Sequence, residues 1–132
     1  MSTRSNIGLK KKDGTVEVIY CHWDGYLSGN GQILLDNYEL DEVREILARG
    51  DMSSLKESPD SCHFYNDVGA VSYNSLEEYF DAIKDDIWVE YAYIYDEETS
   101  TWLVAMYEEV EDRYEFGKFR ELTKALIEER GD

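Results

Sequence analysis

Two aromatic-rich apolar stretches, at 87–95 and 101–110, flank the turn-forming sequence DEETS, and this arrangement constrains the fold more than any other feature. Alternating residues of a strand point to opposite faces, and neither face of the first stretch is plainly polar. A strand with two apolar faces must be covered on both of them. We therefore predict a β-hairpin that lies centrally in a sheet and is covered on much of both sides.

A second hairpin is predicted near the start of the chain, where Asp13-Gly14 supplies a turn between β-forming residues. Four segments favour helix. A loop enters one near Asn30, and LDEVREILARG predicts a short helix that Asp41 caps. Ser75 and Glu78 match a capping box before an amphipathic stretch. A closing helix over FGKFRELTKALIEERGD would turn these residues inwards: Phe119, Leu122 and Leu126.

The order of strands, helices, strands and helix predicts an α+β fold. Its sheet would be mostly antiparallel, built from two hairpins and packed with three to four helices. We expect a single domain over 1–132, because the chain has one proline, Pro59, and no Ser/Gly-rich linker. No apolar run is long enough to span a bilayer, and no apolar stretch follows Arg4 as in a signal peptide. With only two cysteines, a cytoplasmic location is expected.

Charge is distributed unevenly along the chain. The net charge is −17, and residues 77–115 hold fourteen acidic residues against two basic ones, a local charge of −12. Such a surface repels nucleic acid and anionic membranes, so we expect neither as a direct partner. A basic protein is the partner that this charge favours. The same charge also keeps a tyrosine-rich domain in solution, which is an alternative reason for it.

Cysteine and histidine are adjacent twice, in YCHWDGY at 20–26 and in SCHFYNDVG at 61–69. Neighbouring strand residues point to opposite faces, so Cys21 and His22 are poorly placed to bind one ion. One ligand from each pair would give two of the four that zinc needs, so we expect no metal, no cofactor and no catalytic residue here. A small pocket around both pairs is kept as an alternative site, formed by Cys21, His22, Trp23, Asp24, Cys62 and His63.

The acidic residues of 77–115 come from a helix, a hairpin turn and the segment after it. B-DNA carries one charge per ~1.7 Å of its axis, so carboxylates in a row can imitate a short stretch of it. A surface of this kind would occupy the Lys/Arg groove of a nucleic-acid-binding enzyme. We predict such a partner-binding surface from Glu77, Glu78, Asp81, Asp85, Asp86, Asp96, Glu97, Glu98, Glu108, Glu109, Glu111, Asp112 and Glu115.

The opening STRSNIG at 2–8 with DGTVEVIYCHWDGYL at 13–27 resembles small acidic proteins encoded by bacteriophages and prophages. These proteins share a TRSNIG…YCHWDGY opening. The resemblance covers about the first forty residues and brings no catalytic residue with it. It implies an accessory protein that acts in a bacterial cytoplasm, where small acidic phage proteins often inhibit host defence, including restriction and CRISPR systems.

The resulting hypothesis is a non-enzymatic phage inhibitor that binds a basic, nucleic-acid-handling bacterial defence protein through its acidic surface. Two alternatives remain open. The first is a small enzyme or ligand-binding domain built around the Cys-His pairs. The second is a self-associating structural protein, in which the tyrosine-rich strands at 87–107 form a homodimer interface.

Overall fold

The computed structural model describes residues 2–66, 69–85 and 88–131, with Val110 described by its backbone only. Within these ranges nine strands form one mixed sheet. The strands are β1 Ser5–Lys10, β2 Val16–Cys21, β3 Met52–Ser54, β4 His63–Phe64, β5 Val71–Tyr73, β6 Tyr91–Asp96, β7 Thr101–Val110, β8 Arg113–Phe116 and β9 Arg120–Glu121. The helices are α1 Gln32–Asn37, α2 Leu40–Arg49, α3 Leu76–Ile83 and α4 Lys124–Arg130.

The main path of the sheet runs in the order β4-β3-β2-β1-β6-β7-β8, while β5 pairs with β2 and β9 with β7. The predicted α+β class and mostly antiparallel sheet are confirmed, and both hairpins are present as β1-β2 and β6-β7. The sheet nevertheless contains more strands than two hairpins supply. Its two hairpins are joined by a parallel pairing, in which Ile7 of β1 lies opposite Tyr93 of β6.

Helices cover both faces of the sheet, as the apolar β6 requires. Tyr93 and Tyr95 point to the face that carries α1, α2 and α4, and both are buried there. Ala92 and Ile94 point to the opposite face, where α3 adds the fully buried Tyr79. Burial of apolar surface stabilises the folded state by ~25 cal/mol per Å². Because β6 is buried on both faces, it lies at the centre of the fold.

Two helix boundaries differ from the predictions. Helix α2 begins at Leu40, before Asp41, because the Glu42 carboxylate accepts a 2.9 Å hydrogen bond from the Glu39 backbone. The closing helix is shorter than predicted, since Thr123 caps its start by accepting a 3.1 Å bond from Leu126 N–H.

The chain before Thr123 is extended, with Arg120 in β9. Phe119 therefore packs on the α3 face and not with Leu122 and Leu126, which lie in the core on the other face. None of the helices in the described ranges has the length and apolar content that crossing a bilayer requires.

Candidate functional site

The YCHWDGY segment contacts both the chain just before β1 and the central strand β6. Gly25 N–H donates a 2.8 Å hydrogen bond to the Thr3 carbonyl, and the Tyr93 hydroxyl donates a 2.6 Å bond to the Gly25 carbonyl. A Cβ at Gly25 would lie 2.8 Å from the Thr3 oxygen, so only glycine allows this approach. Asp24 adopts the left-handed region with φ of 60°, which Asp tolerates better than most residues. The segment therefore fixes the start of β1 against the centre of the sheet.

A π-helical turn, Leu27–Gly31, places Asn30 between β1 and the YCHWDGY segment. The Asn30 side chain is fully buried, and its amide donates to the Trp23 carbonyl at 3.0 Å and to Ser5 Oγ at 3.1 Å. Its Oδ1 has no hydrogen-bond partner among the residues that the structure describes. Asn30 thus connects the STRSNIG and YCHWDGY segments through hydrogen bonds, which gives both motifs a structural role.

The first Cys-His pair is divided between core and surface. Cys21 ends β2 and is fully buried, with Sγ 3.4 Å from the Asn30 amide nitrogen. Burial raises the pKa of the Cys21 thiol to about 11, because a thiolate is costly in an apolar core. His22 is partly exposed, and its Nδ1 lies 2.9 Å from the Tyr20 hydroxyl. The thiol and the imidazole of this pair therefore have different partners.

The second pair shows the same division. Cys62 is buried with Sγ 3.2 Å from the Tyr38 hydroxyl and 3.3 Å from Lys56 N, whereas His63 is exposed. Burial also raises the pKa of the Tyr38 hydroxyl. Both cysteines are free. In the described part of the chain, no three His, Cys, Asp or Glu side chains lie close enough together to hold a metal ion.

Helix α3 and the two residues after it carry four of the predicted acidic residues, all of them exposed: Glu77, Glu78, Asp81 and Asp85. Ser75 Oγ caps the helix by accepting a 3.0 Å bond from Glu78 N–H, which confirms that part of the predicted cap. The Glu78 carboxylate accepts from Asn74 N–H, one residue earlier than a capping box requires. Asp81 lies 3.3 Å from Lys84 Nζ. Asp86 falls outside the described residues.

The β7-β8 hairpin carries a second exposed group: Glu109, Glu111, Asp112 and Glu115. Glu111 and Asp112 form its turn with φ of 50° and 68°. Glu115 lies 3.9 Å from the Arg113 guanidinium, and both side chains are exposed. Pairs of this kind contribute only ~0–1 kcal/mol, so these carboxylates stay available to another molecule.

Three further predicted carboxylates bind within the protein itself. Asp96 is 8% exposed and lies 3.9 Å from Lys10 Nζ. Glu97 binds the Arg44 guanidinium at 3.0 Å and accepts from Lys12 N–H. Glu108 accepts from two arginines, Arg120 and Arg130. These three groups stabilise the fold, so the exposed acidic surface is narrower than the sequence predicted.

The sheet register places the start of α3 and the β7-β8 turn towards opposite ends of the sheet. Val16 lies opposite both Lys10 and Tyr73, and Lys10 lies opposite Asp96, so α3 begins near the Asp96 end. The β7-β8 turn lies beyond the other end, since Tyr91 pairs with Met106 and β7 continues past it.

Helix α3 runs between these two ends, and its Tyr79 hydroxyl accepts a 2.8 Å bond from Asn6. Its C-terminal acids therefore point towards the hairpin end. Glu98 lies before β7, at the opposite end of this strand from the β7-β8 turn. The ten residues of β7 separate Glu98 from that turn by ~30 Å.

Several clefts open on the surface described, and two of them, with no residue of the Cys-His pairs in their lining, lie against helices α2 and α3. One of about 470 Å³ lies between α2 and the first hairpin, and its cations Lys11 and Arg44 are bound to Glu17 and Glu97. The other, of about 400 Å³, lies between α3 and the segment before β9. Its lining residues are Leu76, Glu77, Phe80, Asp81, Lys118 and Phe119.

The sequence did not reveal the second cleft, which we call the α3 cleft. Phe119 was predicted to lie on the inner face of a helix, and its actual position depends on the extended chain between β8 and β9. One local feature of the sequence does point to this cleft, namely the four-residue spacing of Glu77 and Asp81. On a helix this spacing places both carboxylates beside the Phe80 ring, at the edge of the apolar face.

Comparison with protein-family models, with curated proteins and with solved structures finds no match to this chain. The resemblance of its opening to phage-encoded proteins therefore stays a prediction. Of the tyrosines in the strands predicted to form a homodimer interface, Tyr93 and Tyr95 are buried in the core, whereas Tyr91 and Tyr107 are partly exposed. The homodimer alternative stays a prediction.

Proposed function

We propose that this protein is a non-enzymatic inhibitor that binds a basic, nucleic-acid-handling bacterial protein through its acidic surface. That surface consists of the eight exposed carboxylates on and after α3 and on the β7-β8 hairpin: Glu77, Glu78, Asp81, Asp85, Glu109, Glu111, Asp112 and Glu115. The observation that carries the proposal is their exposure, because among the described residues only Lys84 and Arg113 form ion pairs with them.

Long-range attraction would guide the association. A chain with a net charge of −17 produces a negative potential that extends about one Debye length, ~8 Å at physiological salt. Clustered Lys and Arg residues of a DNA- or RNA-binding groove are complementary to this potential. The protein would occupy such a groove and exclude the nucleic acid. The resemblance of the opening sequence to phage proteins supports a defence complex in the bacterial cytoplasm as the target.

The buried thiols argue against a reaction centre at the Cys-His pairs. A nucleophilic cysteine needs a base within hydrogen-bond reach and a lowered pKa. Cys21 has a raised pKa, and its Sγ lies 3.4 Å from the Asn30 amide nitrogen, while His22 Nδ1 bonds to the Tyr20 hydroxyl. Cys62 bonds to the Tyr38 hydroxyl. A binding role accounts for the exposed charge without requiring either pair.

Affinity capture from a bacterial lysate, followed by binding measurements with the purified partner, tests the proposal. We expect affinity to fall at least tenfold between 50 and 300 mM salt, because exposed charge pairs are screened. A variant with Asp81, Asp85, Glu109 and Asp112 changed to Lys should lose binding and inhibition.

The matched control changes four exposed acids elsewhere, Glu45, Glu57, Glu128 and Glu129, to Lys. It alters the net charge by the same amount, so it should weaken binding several-fold at most. Equal losses in both variants, or affinity that does not change with salt, would contradict the proposed surface.

A further inference from the structure

The α3 cleft lies within the proposed acidic surface and offers apolar contact there. Its floor consists of Leu76, Phe80 and Phe119, all partly buried against the core on this face of the sheet. The rings of Phe80 and Phe119 lie 6.1 Å apart in an edge-to-face arrangement, and Phe119 also contacts the fully buried Tyr79 at 6.3 Å. Because Tyr79 is fixed in the core, the floor of the cleft is held in place before any partner binds.

The rim of the cleft is negatively charged. Glu77 and Asp81 are one helical turn apart on α3, so both carboxylates lie on the same side of the opening. Lys118 lines the cleft as well, and Asp81 contacts Lys84 at 3.3 Å with both side chains exposed. An exposed pair of this kind is weak, so a cation from a partner can replace Lys84.

Size and charge together define the occupant. A volume of about 400 Å³ accommodates one large apolar side chain and part of the adjoining backbone. A second copy of this chain is disfavoured, because both copies carry a charge of −17. A basic protein segment satisfies both the apolar floor and the acidic rim.

We propose that the α3 cleft receives one large apolar side chain of the partner, while Glu77 and Asp81 bind Lys or Arg residues on either side of it. This inference rests on the proposed function and adds to it the place where an apolar anchor residue of the partner binds. Interfaces commonly concentrate their binding energy in a few apolar or aromatic anchors that fill such pockets, with charges at the rim. The wider acidic surface would then guide the partner, and the cleft would hold it.

Two synthetic peptides of equal length test the anchor. Both carry the same Lys and Arg residues and a fluorescein label, and they differ only in a central Phe or Ala. We expect the Phe peptide to bind roughly tenfold to a hundredfold more tightly in fluorescence anisotropy, from burial of one aromatic side chain. The Phe80→Ser variant should remove this difference, while Tyr65→Ser, at an exposed ring outside the cleft, should keep it.

Amide chemical shifts of the wild-type protein give a readout that needs no variant. The Phe peptide should shift the amides of 76–81 and 118–119 more than the Ala peptide does. Equal binding of both peptides, no measurable binding of the Phe peptide, or shifts confined to other residues would overturn the anchor. If partner binding is lost when Glu109 and Asp112 are reversed to Lys but is unchanged in Phe80→Ser, that result supports the proposed function and contradicts the anchor. If neither change matters, both proposals fail.

Discussion

The thiol of Cys21 offers a quantitative test of whether the YCHWDGY segment is a reaction centre or part of the core. Its pKa lies at about 11, compared with 9.0 for an ordinary thiol, because the side chain is fully buried. Well below pH 9, this shift reduces the thiolate fraction by roughly a hundredfold. Only the thiolate reacts with alkylating agents, so the native protein should react at least a hundredfold more slowly than the unfolded chain.

Iodoacetamide labelling at pH 8, with and without guanidinium chloride, measures both rates. Trypsin separates the two cysteines, because Cys21 lies between Lys12 and Arg44 and Cys62 between Lys56 and Lys84. Mass spectrometry then follows each site independently. Labelling of native Cys21 within about threefold of the unfolded rate would refute the argument from burial.

The same shift predicts how stability depends on pH. The folded state holds the thiol proton more tightly than the unfolded chain does, so its contribution is complete below pH 9 and is lost as pH rises to about 11. Two pKa units correspond to about 2–3 kcal/mol. The stability difference between wild type and Cys21→Ala, measured by denaturant titration, should therefore shrink over this pH range. A difference that is constant up to pH 11 would contradict the assignment.

Two other predictions concern the fold around the site. Gly25→Ala should lower the free energy of unfolding by ~1–3 kcal/mol, since its Cβ would meet the Thr3 oxygen at 2.8 Å. Gly69→Ala, where a Cβ meets nothing within 4 Å, is the control for thermal unfolding, and equal effects would contradict the clash. Glu108→Gln should cost ~1 kcal/mol at low salt and less at high salt, because this carboxylate binds Arg120 and Arg130. Its exposed neighbour variant Glu109→Gln should have little effect, and a matching loss there would refute the assigned role of Glu108.

Local patterns predicted the elements but not their long-range pairing. The Asp13-Gly14 turn and the Ser75 cap depend on neighbouring residues, so the sequence indicates them directly. The parallel pairing of β1 with β6 joins segments far apart in the chain, and no periodicity encodes it. The sequence places the start of the final helix too early, because the helical spacing of apolar residues begins at Phe119. In the structure the next residue, Arg120, belongs to a strand and pairs with Val104.

The same division applies to the candidate site. The exposure of the α3 carboxylates followed from the apolar stripe on the other side of the helix. The roles of Glu97 and Glu108 did not, because their partners Arg44 and Arg130 approach only through the tertiary fold. An acidic residue in a charged segment can serve the fold or a partner, and composition does not distinguish the two.

The position of β1 between β2 and β6 has a consequence for synthesis of the chain. The first hairpin can close as soon as residues 5–21 leave the ribosome, but the other side of β1 has no partner until residues 91–96 follow. Until then the emerging chain presents an open strand edge, with unpaired backbone amides and carbonyls. We expect folding to be slow for a domain of this size, and nascent chains that stall before residue 91 to be prone to aggregation.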